Sequence, residues 1–170
     1  MKHILLIGFM VSGKSTMGKL VANKLNCPFV DTDHYIEKKE GRKISAIFAD
    51  DGEEYFRSLE TEVLKELLES EERKVLSLGG GTPLREENRA LLKNGGYVIF
   101  LKITPNVAYA RLKGDTKRPL LQVENPRERI AELLEYRNPI YESAADYVLC
   151  EEKRSLDDVF LELSEIVRDI

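Results

Sequence analysis

Apolar residues come in short blocks along this chain, at positions 4–7, 29–30, 75–78, 97–101 and 147–149, broken only by Ser77. After each block, apolar residues return every three or four positions within polar-rich sequence. The short blocks read as strands buried on both faces, and the longer segments between them read as helices with one apolar stripe. Strands alternating with helices predict an α/β domain of about five strands in a parallel sheet covered by helices. Helix starts are marked by Thr104 before Pro105, by Asn125 before Pro126, and by Ser155 with Asp157 and Asp158 in the following turn. Residues 113–122, which carry Gly114, Lys117, Arg118 and Pro119, fit neither period and are the candidate lid.

Composition narrows this picture. A chain of 170 residues with 42% apolar content has room for one core, so residues 1–170 are expected to form a single domain. The net charge is −4 and no run of five basic residues occurs, which leaves no bulk attraction for nucleic acid or an anionic membrane. Block 4–7 is too short for a signal-peptide core or a membrane span. The two cysteines, Cys27 and Cys150, fit neither a disulfide framework nor a zinc site, and a reducing, cytoplasmic location is expected.

The strongest chemical signal follows the first block. Gly8-Phe9-Met10-Val11-Ser12-Gly13-Lys14-Ser15 matches the phosphate-binding pattern GxxxxGK(S/T), between a predicted strand and a helix with stripe Met17, Leu20, Val21 and Leu25. In such a loop backbone N–H groups curl around the phosphates, the helix N-terminus adds a favourable dipole, Lys14 reaches the β and γ phosphates, and the Ser15 hydroxyl ligates Mg²⁺.

Other residues face that loop. Asp31 and Asp33 lie at the expected carboxyl end of the second strand, where ligands of open α/β sheets bind, and in extended chain their spacing points both carboxylates the same way. One suits Mg²⁺ and the other suits a hydroxyl proton, with capping of the next helix as the alternative for Asp33. Gly79, Gly80 and Gly81 predict close approach of backbone to a ligand, with a flexible connection as the alternative. Arg137 falls on the apolar stripe of Ile130, Leu133, Leu134, Ile140 and Tyr141, and an inward guanidinium needs an anion. That anion is either a protein carboxylate or a substrate. Arg57 and Glu60, on the helix of Phe56, Leu59, Val63 and Leu67, have the spacing of an ordinary surface ion pair.

Taken together, GFMVSGKST at 8–16, FVDTD at 29–33, Phe56-Arg57 with Glu60, the triple glycine, RPLL at 118–121, and Arg137 with Pro139 and Tyr141 resemble the shikimate kinase family. The resemblance spans nearly the whole chain. It implies the nucleoside-monophosphate-kinase-like P-loop fold with strand order 2-3-1-4-5, a substrate-binding segment at about 33–60, and a lid at 113–122 that closes over ATP. The implied reaction is ATP-dependent phosphorylation of shikimate at its 3-hydroxyl to give shikimate 3-phosphate and ADP, within chorismate and aromatic amino acid biosynthesis. Carried over, the pattern assigns Asp33, Arg57, Arg137 and the glycines 79–81, Gly80 above all, to shikimate. Lys14 and Arg118 go to the transferring phosphate, with Asp33 beside them in catalysis, and Ser15 with Asp31 to Mg²⁺. Val11, Ser12, Gly13 and Thr16 belong to the ATP loop, and Arg111 with Lys153 or Arg154 is placed near the adenine. A monomer is the expected assembly. One departure stands out: Val11 occupies a position where the family usually has glycine, and a β-branched residue resists positive φ. The rival readings are a related kinase of gluconate or a nucleoside monophosphate, and a nucleotide-dependent switch, although no (N/T)KxD guanine-reading segment is present.

Overall fold

Each apolar block becomes a strand in the computed structural model, which describes residues 2–113 and 123–170. The strands are β1 (His3–Ile7), β2 (Phe29–Asp31), β3 (Val75–Ser77), β4 (Gly96–Lys102) and β5 (Tyr147–Cys150). They form one parallel sheet, as the apolar pattern implied, in the order β2-β3-β1-β4-β5 that the family resemblance implied. Ile4 at the centre pairs with Val75 on one side and Tyr97 on the other.

Strand alternation explains why the blocks are apolar on both parities. Leu5 and Ile7 point with Leu76, Val98 and Phe100 into one core, against Phe56, Val63, Leu64 and Leu67. Ile4 and Leu6 point the other way with Val75, Ile99 and Leu101, against Met17, Val21, Val159 and Leu163. With both faces covered, neither parity can be polar.

The helices between are α1 (Lys14–Leu25), α2 (Thr32–Glu40), α3 (Ile44–Asp51), α4 (Glu53–Leu68), α5 (Glu86–Gly95), α6 (Pro105–Leu112), α7 (Pro126–Ala144) and α8 (Leu156–Arg168). Thr104 caps α6 through the Val107 amide, and Ser155 and Asp158 cap α8 reciprocally. Asn125 makes no such bond: its φ of 55° lies in the left-handed region, whereas a capping side chain needs extended backbone. Among the described residues, no helix is long and apolar enough to cross a membrane. The lid at 113–122 falls almost wholly outside the described residues, and Arg118 with it.

All strands run the same way, so their carboxyl ends share one edge. That edge carries the loop after β1, Asp31 at the end of β2, the triple glycine after β3 and Glu151 after β5.

Candidate functional site

The loop of residues 8–13 turns sharply from β1 into α1. Gly8 has a φ of 152°, and a Cβ there would stand 2.7 Å from the Leu101 carbonyl oxygen, so only glycine fits. Gly13 at φ 88° begins α1, whose first residue is Lys14. Lys14 Nζ donates to the carbonyl oxygens of Gly8 and Phe9, both at 2.8 Å, and so lies along the inside of the loop. Burial pulls its ammonium down to about 8, against the attraction of Asp33 and Asp31 and with the repulsion of Arg137.

Asp31 and Asp33 divide the work differently from the sequence reading. Only Asp31 is in the strand; Asp33 already sits in the first turn of α2, so the two are not an extended pair. The helix cap is Asp31, whose Oδ1 accepts from the His34 amide at 3.1 Å. Its Oδ2 accepts from the Ser15 hydroxyl at 2.7 Å, with Ser77 Oγ 3.3 Å from the same hydroxyl. Asp33 is thereby free of capping, and its carboxyl is pushed up to about 6 by burial first, then by Glu60 and Asp31, against Lys14 and Arg57.

Glu60 corrects a second expectation. It is not on the surface: it shares the buried stripe of α4 with Phe56, Val63 and Leu64, and is 4% exposed. Its Oε1 accepts from Arg57 Nη1 at 2.6 Å and its Oε2 from the Thr82 hydroxyl at 2.9 Å. Asn88, also buried, donates to the Thr82 carbonyl and accepts from Thr61, fixing the turn that carries Thr82. The Arg57 fork is therefore oriented by a buried acid that is itself held in place.

The triple glycine is not left-handed, since none of the three has positive φ. Thr32 Oγ1 accepts from the Gly79 amide, and the Thr82 amide returns to the Gly79 carbonyl. What the missing side chains supply is room. A Cβ on Gly79 would lie 2.8 Å from Asp33 Oδ1 and 2.9 Å from Glu60 Oε2, and one on Gly81 would run into the Arg57 guanidinium. Gly80 passes between Arg137 and the first loop, where its Cβ would lie 3.4 Å from Arg137 Nη1 and 3.7 Å from the Met10 amide nitrogen. Its carbonyl accepts from the buried Tyr141 hydroxyl at 2.6 Å.

Arg137 completes the ring. Its guanidinium lies over the Phe9 ring at 5.8 Å, and no carboxylate among the described residues pairs with it. Asp33, Arg57, Glu60, Gly80, Arg137 and Met10 line a cavity of about 240 Å³. Two guanidiniums and a carboxylate of raised basicity lining one cavity suit a small hydroxylated acid.

On the nucleotide side, Arg111 donates to the Val11 carbonyl at 2.7 Å. Arg154 is occupied with Glu162 and the carbonyls of Cys150 and Asp158, which leaves Lys153, exposed and at φ 57°, as the less committed of the two basic residues after β5. Ser12 is fully buried at the base of the loop, and Thr16 is exposed on α1. The sequence reading missed Glu151, a buried acid beside this loop; a lone acid in a polar segment gives no periodic signal.

The shikimate kinase family model matches residues 10–168. A shikimate kinase of Thermodesulfovibrio yellowstonii is 53% identical over 144 residues, covering 85% of this chain and 83% of that protein. One from Symbiobacterium thermophilum is 41% identical over 169 residues, with 98% and 97% covered. Among solved structures, a shikimate kinase of Acinetobacter baumannii in complex with shikimate superimposes with a TM-score of 0.90 at 37% identity, covering 99% of this chain and 94% of that one. The Aquifex aeolicus shikimate kinase gives 0.79 at 37% identity, with 98% and 96% covered.

Proposed function

This chain belongs to the shikimate kinase family and phosphorylates shikimate from ATP, and we propose that Asp33, Lys14, Arg57 and Arg137 carry the reaction. The observation that supports this most is Arg137, an inward-facing guanidinium that pairs with no protein carboxylate among the described residues and lines the same cavity as Asp33. In this reading Arg57 and Arg137 hold the acceptor carboxylate and Asp33 accepts a hydrogen bond from the acceptor hydroxyl. As the hydroxyl oxygen bonds to the γ phosphorus, its proton passes to Asp33 and the bond to the bridging oxygen breaks, releasing ADP. A carboxyl titrating near 6 is ionised at neutral pH yet more basic than an ordinary aspartate, which suits that task. Lys14 lies where it neutralises charge gathering on the transferred group. Arg118, outside the described residues, is assigned to the same group by the family pattern.

Ser15 and Asp31 suit Mg²⁺, being hard oxygen donors already 2.7 Å apart at the mouth of the loop. Bound there with the phosphates, the ion would spread the charge of the β and γ oxygens. Segment 33–60 serves as the acceptor-binding part of a single domain. A monomer is the assembly this reading takes, and the two free cysteines support a reducing, cytoplasmic setting.

Arg137 tests the acceptor assignment. Arg137→Lys keeps the charge but loses the planar fork and is expected to raise the shikimate KM several-fold, while Arg137→Ala raises it by about one to two orders of magnitude. The ATP KM should hardly move. An amide analogue of shikimate provides the control: wild type should reject it strongly and Arg137→Ala weakly. Equal discrimination by the two enzymes would show that Arg137 does not read the carboxylate.

The two perturbed groups also fix a pH window. Asp33 must be ionised and Lys14 protonated, so kcat/KM for shikimate should fall below about pH 6 and again above about pH 8. A profile flat from pH 5 to 7 would remove Asp33 from the base role.

A further inference from the structure

The scheme above leaves one buried charge unused. Glu151 follows β5, is 4% exposed, and has its Oε2 buried with no hydrogen-bond partner. Burial raises its carboxyl above the ordinary glutamate range, against the pull of Arg111, Lys14 and Arg154. An acid in such a place weakens the fold unless it is compensated, so its role lies in what it holds.

It holds Arg111. The Arg111 Nη2 lies 3.4 Å from Glu151 Oε1, while Nη1 donates to the Val11 carbonyl at 2.7 Å. The guanidinium thus bridges from the end of β5 to the middle of the phosphate loop. A Cβ on Gly13 would stand 4.0 Å from the same Glu151 oxygen, so the carboxylate flanks the loop at its entry into α1.

Val11 is the residue that needs such a bridge. Its φ is 60°, and the other described non-glycine residues with positive φ are Asn26, Asn125 and Lys153. Asparagine tolerates that region and lysine is unbranched at Cβ, whereas a β-branched side chain there is an outlier. Left to itself, residue 11 would relax towards extended or right-handed backbone and turn its carbonyl and the next amide out of the loop's curl.

We propose that Glu151 is a positioning residue of the nucleotide site, which through Arg111 pins the Val11 carbonyl and keeps the phosphate loop in its binding conformation. The proposal rests on the reading of residues 8–15 as the ATP loop. It differs from direct nucleotide contact because it makes the need for Glu151 conditional on valine at position 11.

A thermodynamic cycle tests this. Dissociation constants for ATP are measured by calorimetry on wild type, Glu151→Gln, Val11→Gly and the double variant, with shikimate KM and Tm on the same four proteins. With valine at position 11, Glu151→Gln is expected to weaken ATP about tenfold and leave the shikimate KM within twofold. In the Val11→Gly background, the same change should cost less than about threefold, because glycine takes positive φ without support. Equal weakening in both backgrounds would make Glu151 a direct or general electrostatic contact and overturn the proposal, as would an unchanged ATP constant when valine is present. If the glutamine variant does not fold, Glu151→Asp, which retracts the charge by one methylene, is carried through the same cycle. Failure of wild type itself to bind ATP would instead strike the loop assignment.

Discussion

Lys14→Ala is expected to lower kcat by ~10³-fold or more while the protein remains folded. The ammonium lies along the inner face of the loop on two carbonyls and is the one positive side chain within the phosphate motif, so nothing nearby on α1 can replace it at the transferred group. Its burial already depresses its pKa, so the charged form is held at a cost to the fold below about pH 8. Removing it relieves that cost. Lys14→Met, which keeps the apolar stem, should be as inactive as the alanine variant, with a Tm no lower than wild type. Single-turnover assays with saturating ATP and shikimate give the rate, and kcat within tenfold of wild type would sink the assignment.

Asp33→Asn should lower kcat by ~10²–10⁴ and at the same time stabilise the protein. The second half follows from linkage. The Asp33 carboxyl is pushed from an ordinary value of 3.8 to about 6, so the folded state binds its proton more tightly than the unfolded state does. Its stabilising contribution is complete below the unfolded value and is lost as pH rises through about 6. At neutral pH the ionised Asp33 therefore costs stability, on the order of 2–3 kcal/mol for a shift of that size. Asparagine is uncharged at every pH and should raise Tm at pH 7 but not at pH 4. A lowered Tm at pH 7 would mean that the carboxylate is structural. Asp31→Ala should behave in the opposite sense for the fold, since Asp31 is the residue that caps α2 and alanine cannot accept from the His34 amide.

These two residues also mark what the sequence makes legible. The sheet was readable because both its faces are covered: each strand carries a run of apolar residues on both parities, and the strands alternate with helices throughout. Lys14 and Ser15 were readable because a phosphate loop is local, with all its parts inside eight consecutive residues. Asp31 and Asp33 were found, but their duties depended on where β2 stops, and a shift of one or two residues in that boundary exchanges capping for chemistry. Glu60 looked like a surface partner because its spacing from Arg57 fits an exposed pair, although at i+4 from Phe56 and i−3 from Val63 it falls on the inward stripe of α4; its second partner, Thr82, lies 22 positions further along the chain, beyond any local pattern. Glu151 was invisible for the same reason. Its meaning comes from Arg111, 40 positions before it, and from a backbone angle at Val11 that no pattern of residue types encodes.

Gly80 bears on how the two substrates meet. Its backbone lies between the Arg137 guanidinium and the loop at Gly8 and Met10, with its hypothetical Cβ 3.4 Å from the one and 3.6 to 3.7 Å from the others, and Tyr141 fastens it from behind. The wall that the acceptor cavity shares with the phosphate loop is therefore a single peptide, a planar, rigid group with no rotamers to lose. Much of the entropy of bringing two reactants into line has been prepaid during folding, and each encounter starts from a high effective molarity.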